Sequence, residues 1–144
     1  MPSATSLSFR VNGGETLEGY TQSSFVAEDI LSRLGSLTRQ DVDALDYGAI
    51  KLDDDGVILL FNRYESELTG LDTARTEGRK FFTQVAPCTN NRLFYGRFQE
   101  GIEDNELDAE FNYTFTYRMR PALVRIMLRR DPETRTTWIF VKRR

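Results

Sequence analysis

The chain has 144 residues, 40% of them hydrophobic and 12% aromatic, and a net charge of −3 from 22 acidic and 19 basic side chains. That is one domain with enough apolar material for a packed core, under a mildly acidic surface that offers nucleic acid nothing to recognise. The sequence holds no histidine and one cysteine, which excludes Ser-His-Asp and Cys-His catalysis, histidine-ligated haem, thiolate metal clusters, an internal disulfide and most zinc sites.

In chain order, residues 1–24 are rich in Ser, Thr and Gly and are expected to form a mobile arm, with Asn12-Gly13-Gly14 as a candidate hairpin turn. The start, MPSATSLSFRVNGG, lacks a charged leader followed by an apolar stretch, and no apolar run is long enough to cross a membrane, so a cytoplasmic location is expected. In DILSRLGSLTRQDVDAL, Ile30, Leu31, Leu34 and Leu37 recur at helical spacing; Gly35 interrupts, and Val42 and Leu45 open a second short run, so two short amphipathic helices are expected. Thr38 with Asp41 suits a cap for the second. Residues 25–46 are thus expected to form an amino-terminal helical cap. YGAIKLDDDGVILLFN places two apolar runs around Asp53-Asp54-Asp55-Gly56, a hairpin signal. The acidic triplet lacks the longer ligand series of a calcium loop.

After Asn62 the pattern shortens. RYESELTG runs to a stop at Gly70, TARTEGRKFF is a turn or brief helix, and NRLFYGRFQEGIED reads as a longer helix capped by Asn90 or Asn91. In AEFNYTFTYRM, Phe111, Tyr113, Phe115, Tyr117 and Met119 alternate with polar residues, as along a strand with one apolar face. Arg120-Pro121 breaks that strand. PALVRIMLRR follows with Val124, Ile126 and Leu128 on one face, then the turn DPETRT and the strand TWIFVK. The pairs Arg129-Arg130 and the terminal Lys142-Arg143-Arg144 read as solvated strand ends. The expected architecture over residues 25–144 is α+β and PAS-like. It has a single domain, a central antiparallel sheet of five main strands, short helices on one side and the helical cap.

Two residues invite chemistry. Cys88, in VAPCT, is open to three readings: core filler, nucleophile or attachment point. Asn62-x-x-Glu65 reads locally as a capping box that opens a helix. The stretches YGAIKLD, FNRYESELTG, KFFTQVAPCT, FYGRF, FNYTFTYRM and WIFVKR carry more. Together they resemble the photoactive yellow protein family of bacterial blue-light receptors, from about Phe25 to the end.

The resemblance implies a blue-light photoreceptor rather than an enzyme. It implies that Cys88 carries 4-hydroxycinnamic acid (p-coumaric acid) as a thioester, whose carbonyl is held by the Cys88 backbone N–H. Glu65 is implied to stay protonated in the dark and to donate to the phenolate, with Thr69 nearby. Phe81, Phe94, Tyr113, Phe115 and Met119 match pocket-lining or pocket-adjacent positions, and Met119 matches a methionine that assists return to the dark state. Light would isomerise the double bond from trans to cis, Glu65 would give up its proton, and the amino-terminal cap would loosen as the signal. The partner implied is a downstream signalling protein reached by contact, with no nucleic acid or membrane and a monomer or weak dimer as the unit.

Two positions depart from the family pattern. Phe61 stands where a tyrosine gives the phenolate a second hydrogen bond, and Leu71 replaces an arginine that shields the pocket. Competing readings are a chromophore-free PAS ligand-binding or protein-interaction module, a flavin photosensor, and a carboxylate enzyme using Glu65. The flavin reading meets Asn91 rather than cysteine before Arg92, and the enzyme reading lacks a convergent second carboxylate.

Overall fold

The computed structural model describes residues 24–116 and 121–144. The expected arm and its hairpin, except for Ser24, lie outside the described residues, as do Tyr117 and Met119. Helices α1 (Glu28–Leu31) and α2 (Arg39–Asp43) flank a 3-10 turn, Leu34–Ser36. Strands β1 (Gly48–Leu52) and β2 (Ile58–Phe61) form the expected hairpin. Asp53 Oδ1 accepts the N–H groups of Asp55 and Val57, both at 2.9 Å. The acidic triplet therefore organises a turn.

Helices α3 (Arg63–Thr69) and α4 (Thr73–Thr76) follow, then a wide π-type turn, Phe81–Val85, and the 3-10 turn Pro87–Thr89. The longer helix expected from NRLFYGRFQEGIED is divided. Asn91 caps a second π-type turn, Arg92–Gly96, which runs into α5 (Arg97–Asp104). Strands β3 (Asp108–Phe115), β4 (Ala122–Asp131) and β5 (Thr136–Arg143) complete an antiparallel sheet of order β2-β1-β5-β4-β3. The helices carry the chain from one edge of the sheet to the other, and β5 returns to lie beside β1.

The sheet separates two cores. On one face, Ile50, Phe61, Val124, Ile126, Leu128, Ile139 and Val141 pack against Phe81, Phe82, Phe94 and Phe98. On the other, Ala49, Met127, Trp138 and Phe140 receive Val26, Ile30, Leu34, Leu37 and Val42 of the cap. Successive residues of one strand thus serve opposite cores, as the pleat dictates. Central strands buried on both faces read as continuous apolar runs, which explains TWIFV. Edge strand β3 is covered less, and Phe111 and Tyr113 are only half-buried there.

Thr38 and Asp41 form the anticipated cap, and reciprocally so. Thr38 Oγ1 accepts Asp41 N–H at 3.1 Å, while Asp41 accepts Thr38 N–H at 2.9 Å. That backbone hydrogen bond holds the Asp41 carboxyl below its ordinary pKa. Arg130 corrects the reading of the basic pairs as solvated. Its side chain is fully buried, ion-paired to Asp54 at 2.8 Å and donating to Asn105 at 2.9 Å and Thr137 at 3.2 Å. It ties the β1–β2 turn to the end of α5, which neither segment reveals by itself.

Several polar contacts join the cap to the rest, among them exposed ones from Arg63 to Asp43 and from Lys142 to Asp46 O, and two others reach β1 and β2. Fully buried Asn62 accepts Ala49 N–H (2.9 Å) and Glu65 N–H (3.1 Å) and donates to the carbonyls of Val42 (2.7 Å) and Tyr47 (3.0 Å). Arg39 of α2 meets both oxygens of Glu77 at 2.8 Å, and Glu77 Oε2 accepts Phe61 N–H at 2.9 Å. Asn62→Ala would orphan four buried backbone groups and is expected to cost roughly 3 kcal/mol of unfolding free energy. Urea denaturation measures this, and a loss below half that value would mean water replaces the amide.

Candidate functional site

The site lies on the aromatic face of the sheet. Helix α3 starts at the Asn62 cap and ends at Gly70, whose φ of 75° a side chain would resist. Its buried residues are Glu65 and Thr69, one helical turn apart, so both face the sheet. Of the expected capping box at Asn62 and Glu65, one half is made: Asn62 Oδ1 accepts Glu65 N–H at 3.1 Å. The backbone N–H of Asn62 is taken by Ala49 O at 3.1 Å, so the reciprocal half of a capping box is not made. The carboxyl of Glu65, fully buried, turns instead toward β1.

A Cβ built at Gly48 would collide with Glu65 Oε1 and stand 3.1 Å from Glu65 Cδ and 3.2 Å from Val141 Cβ. Gly48 is therefore the space in which this carboxyl sits, on the same sheet face as Ile50 and Val141. Nothing local in YGAIKLD marks that glycine as part of the site. Gly48→Ala is expected to destabilise by about 1–3 kcal/mol through overpacking. Combining it with Glu65→Ala should recover most of that cost in a double-mutant cycle of urea midpoints. Simple additivity would place the carboxyl elsewhere.

Thr69 is buried, and its hydroxyl is engaged with backbone. It donates to Glu65 O at 2.8 Å and accepts Leu71 N–H at 3.2 Å. Phe61, Phe81, Phe94 and Phe115 are all fully buried in the aromatic core, while Leu71, Tyr113 and Cys88 pack against it partly exposed. Phe94 is its centre, with ring centroids 6.0 Å from Phe81, 5.3 Å from Tyr113 and 6.3 Å from Phe115. Every expected site residue among the described ones thus belongs to this core or to the buried face of α3. Cys88 sits in the 3-10 turn between the two π-type turns, half-buried, its backbone carbonyl bonded to Tyr113 and Asn91. Asn91 had been legible only as a helix cap.

The residues fit a covalently held aromatic acid by their chemistry. A half-buried thiol supplies the handle, aromatic side chains supply flat apolar walls, and a buried carboxyl supplies one polar group that either donates or accepts. Among the described residues no cluster of His, Cys, Asp and Glu is placed to hold a metal ion, and no helix is long and apolar enough to cross a membrane.

Five antiparallel strands in this order, helices packed on both faces, and a buried carboxyl and a half-buried thiol on the aromatic face define a PAS-type sensory domain. A family model described as the PAS fold matches residues 37–144. The photoactive yellow protein of Rhodothalassium salexigens is 40% identical over 119 residues, covering 83% of this chain and 95% of its own. That of Cereibacter sphaeroides is 33% identical over 104 residues, covering 72% of this chain and 84% of its own. The crystal structure of the photoactive yellow protein domain of the sensor histidine kinase Ppr from Rhodospirillum centenum superposes with a TM-score of 0.73. It is 42% identical and covers 78% of this chain and 99% of that one. The chain belongs to the photoactive yellow protein family, a family of photoreceptor PAS proteins.

Proposed function

We propose that this protein is a blue-light receptor whose chromophore is 4-hydroxycinnamic acid bound as a thioester to Cys88. The observation that carries the reading is the placement of the Glu65 carboxyl: released from helix capping, fully buried, and lodged at Gly48 on the aromatic face that Cys88 also borders. Loading requires the Cys88 thiol to lose its proton and form the S–C bond as the acyl donor's leaving group departs with its electron pair. The bound group supplies absorption of blue light and trans-to-cis isomerisation.

This chain's residues do the rest. Phe61, Phe81, Phe94 and Phe115 exclude water, and the Cys88 backbone N–H holds the acyl oxygen in the dark. Burial favours the neutral carboxyl, so Glu65 holds a proton on an Oε atom and presents it as a donor. Were Glu65 to pass that proton to the phenolate oxygen of the bound group, a carboxylate would be left in an apolar core, which is costly. Its helix begins at Asn62, which also grips the cap at Val42 O and the chain just after it at Tyr47 O. Loosening of residues 25–46 relieves the charge and becomes the signal. The output passes by contact to a downstream signalling protein. The Rhodospirillum centenum relative, a domain of a sensor histidine kinase, supports that kind of partner. Sensing rather than catalysis, in the cytoplasm, completes the proposal.

The test is an absorption spectrum of the protein after reaction with activated 4-hydroxycinnamic acid, in darkness and after a blue flash, beside Cys88→Ala. A visible band that bleaches, returns in darkness and is missing from the variant is expected. No band with a free thiol and a folded protein would favour a chromophore-free PAS module.

A further inference from the structure

The turn that carries Cys88 is fastened carbonyl by carbonyl. Ala86 O accepts the Thr89 hydroxyl at 2.6 Å and Thr89 N–H at 2.9 Å, and Pro87 O accepts Asn90 N–H at 3.0 Å. Those bonds stay within the turn. The Cys88 carbonyl is held from outside it. Tyr113 Oη, on β3, donates to it at 2.6 Å, and Asn91 Nδ2 donates to it at 3.3 Å. Asn91 Nδ2 also donates to Tyr113 Oη at 2.6 Å.

The hydrogens balance in this ring of three groups. The phenol has one hydrogen and gives it to the carbonyl. The amide has two and gives one to the phenol oxygen and one to the carbonyl. Asn91 Oδ1 stays free to cap the following turn, accepting Phe94 N–H at 3.0 Å. The Tyr113 ring stands edge-on to Phe94 at 5.3 Å and to Phe115 at 5.9 Å, so its hydroxyl has little room to swing. Packing against the aromatic core would need only the ring, and phenylalanine would serve. The hydroxyl has a separate task.

The geometry points to Tyr113 as the positioning residue of the Cys88 acylation site, steadied by Asn91 and acting through the Cys88 carbonyl. The clamp fixes the peptide that follows Cys88, and with it the direction in which Sγ leaves the backbone. It also ties the thiol-bearing turn to the edge of the sheet. The role rests on Cys88 being the acylated residue, but the clamp exists in the protein alone and is tested there first.

Tyr113→Phe keeps the ring and removes only the hydroxyl. Asn91→Ser keeps a capping oxygen for Phe94 N–H and removes the amide donors. In the unloaded protein, each variant is expected to be alkylated at Cys88 by iodoacetamide about fivefold faster than the native chain, as one hydrogen bond of ordinary net strength is lost. The double variant should be little faster than either single one, because the groups act as a unit. After loading with activated 4-hydroxycinnamic acid, Tyr113→Phe should return to the dark state about fivefold more slowly. Lower thermal midpoints with unchanged alkylation rates would reduce Tyr113 to packing and overturn the inference, as would fully additive effects. If the native chain forms no coloured adduct, the photoreceptor reading fails, and the alkylation rates still decide the clamp.

Discussion

Glu65→Gln is expected to bleach in blue light as the native protein does and to lose nearly all of the light-induced rise in hydrogen exchange over residues 29–45. Glutamine has the shape of the neutral acid but no proton to release, so no buried charge appears. Placing a carboxylate in an apolar core costs several kcal/mol. Even roughly 3 kcal/mol delivered to the cap equilibrium shifts it by about a hundredfold. The route is short: Glu65 stands on the first turn of α3, whose cap residue Asn62 holds the end of α2 through Val42 O. Exchange that rises equally in the variant would mean that isomerisation opens the cap by shape alone, without the carboxylate.

Phe61→Tyr carries the second large effect, on the spectrum. Phe61 is fully buried in the aromatic core with no hydroxyl to offer a phenolate. Thr69 is a poor substitute as placed, since its hydroxyl proton is given to Glu65 O at 2.8 Å and turning it would break that bond. A hydrogen bond to a charged group is worth about 1.5–3 kcal/mol. With the proposed 4-hydroxycinnamoyl group bound, its absence would raise the phenol's pKa by on the order of one or two units. The sign follows: below the raised pKa the phenol is neutral and absorbs in the near ultraviolet, and above it the anion gives the blue band. The native protein should therefore show both bands at mildly acidic pH, merging into one as pH rises, whereas Phe61→Tyr should hold a single band to lower pH. One unchanged native band from mildly acidic to alkaline pH would dismiss the missing donor.

The local rules were readable in the chain and the distant pairings were not. Asp53-Asp54-Asp55-Gly56 announces its turn, Thr38 and Asp41 their reciprocal cap, and Gly70 its helix stop, because each acts within a few residues. Alternation placed Val124, Ile126 and Leu128 on one face correctly. Gly48 owes its part in the site to α3 packing on β1, Glu77 owes its partner to a cap residue, and Arg130 is buried where the β1–β2 turn and the residue after α5 close over the end of β4. No periodicity encodes such meetings. The site residues themselves were reached through family motifs, since residue type alone left Cys88 and Glu65 each with an ordinary structural role. Asn91 shows the limit of reading one residue once, because its oxygen caps a turn while its nitrogen serves the clamp.

The pleat that gives alternate residues of one strand to opposite cores has an evolutionary consequence. Ile50, Ile139 and Val141 border the aromatic side, where the chromophore is proposed to sit, whereas Ala49, Trp138 and Phe140 border the cap. Substitutions that tune wavelength or lifetime can accumulate in one set while those that tune the surface offered to a partner accumulate in the other, with little interference. Groups that bridge both sides, among them Asn62 and the Arg39–Glu77 pair at Phe61 N–H, are bound to both. A lineage can thus change what colour it sees without changing whom it tells, provided those bridges stay.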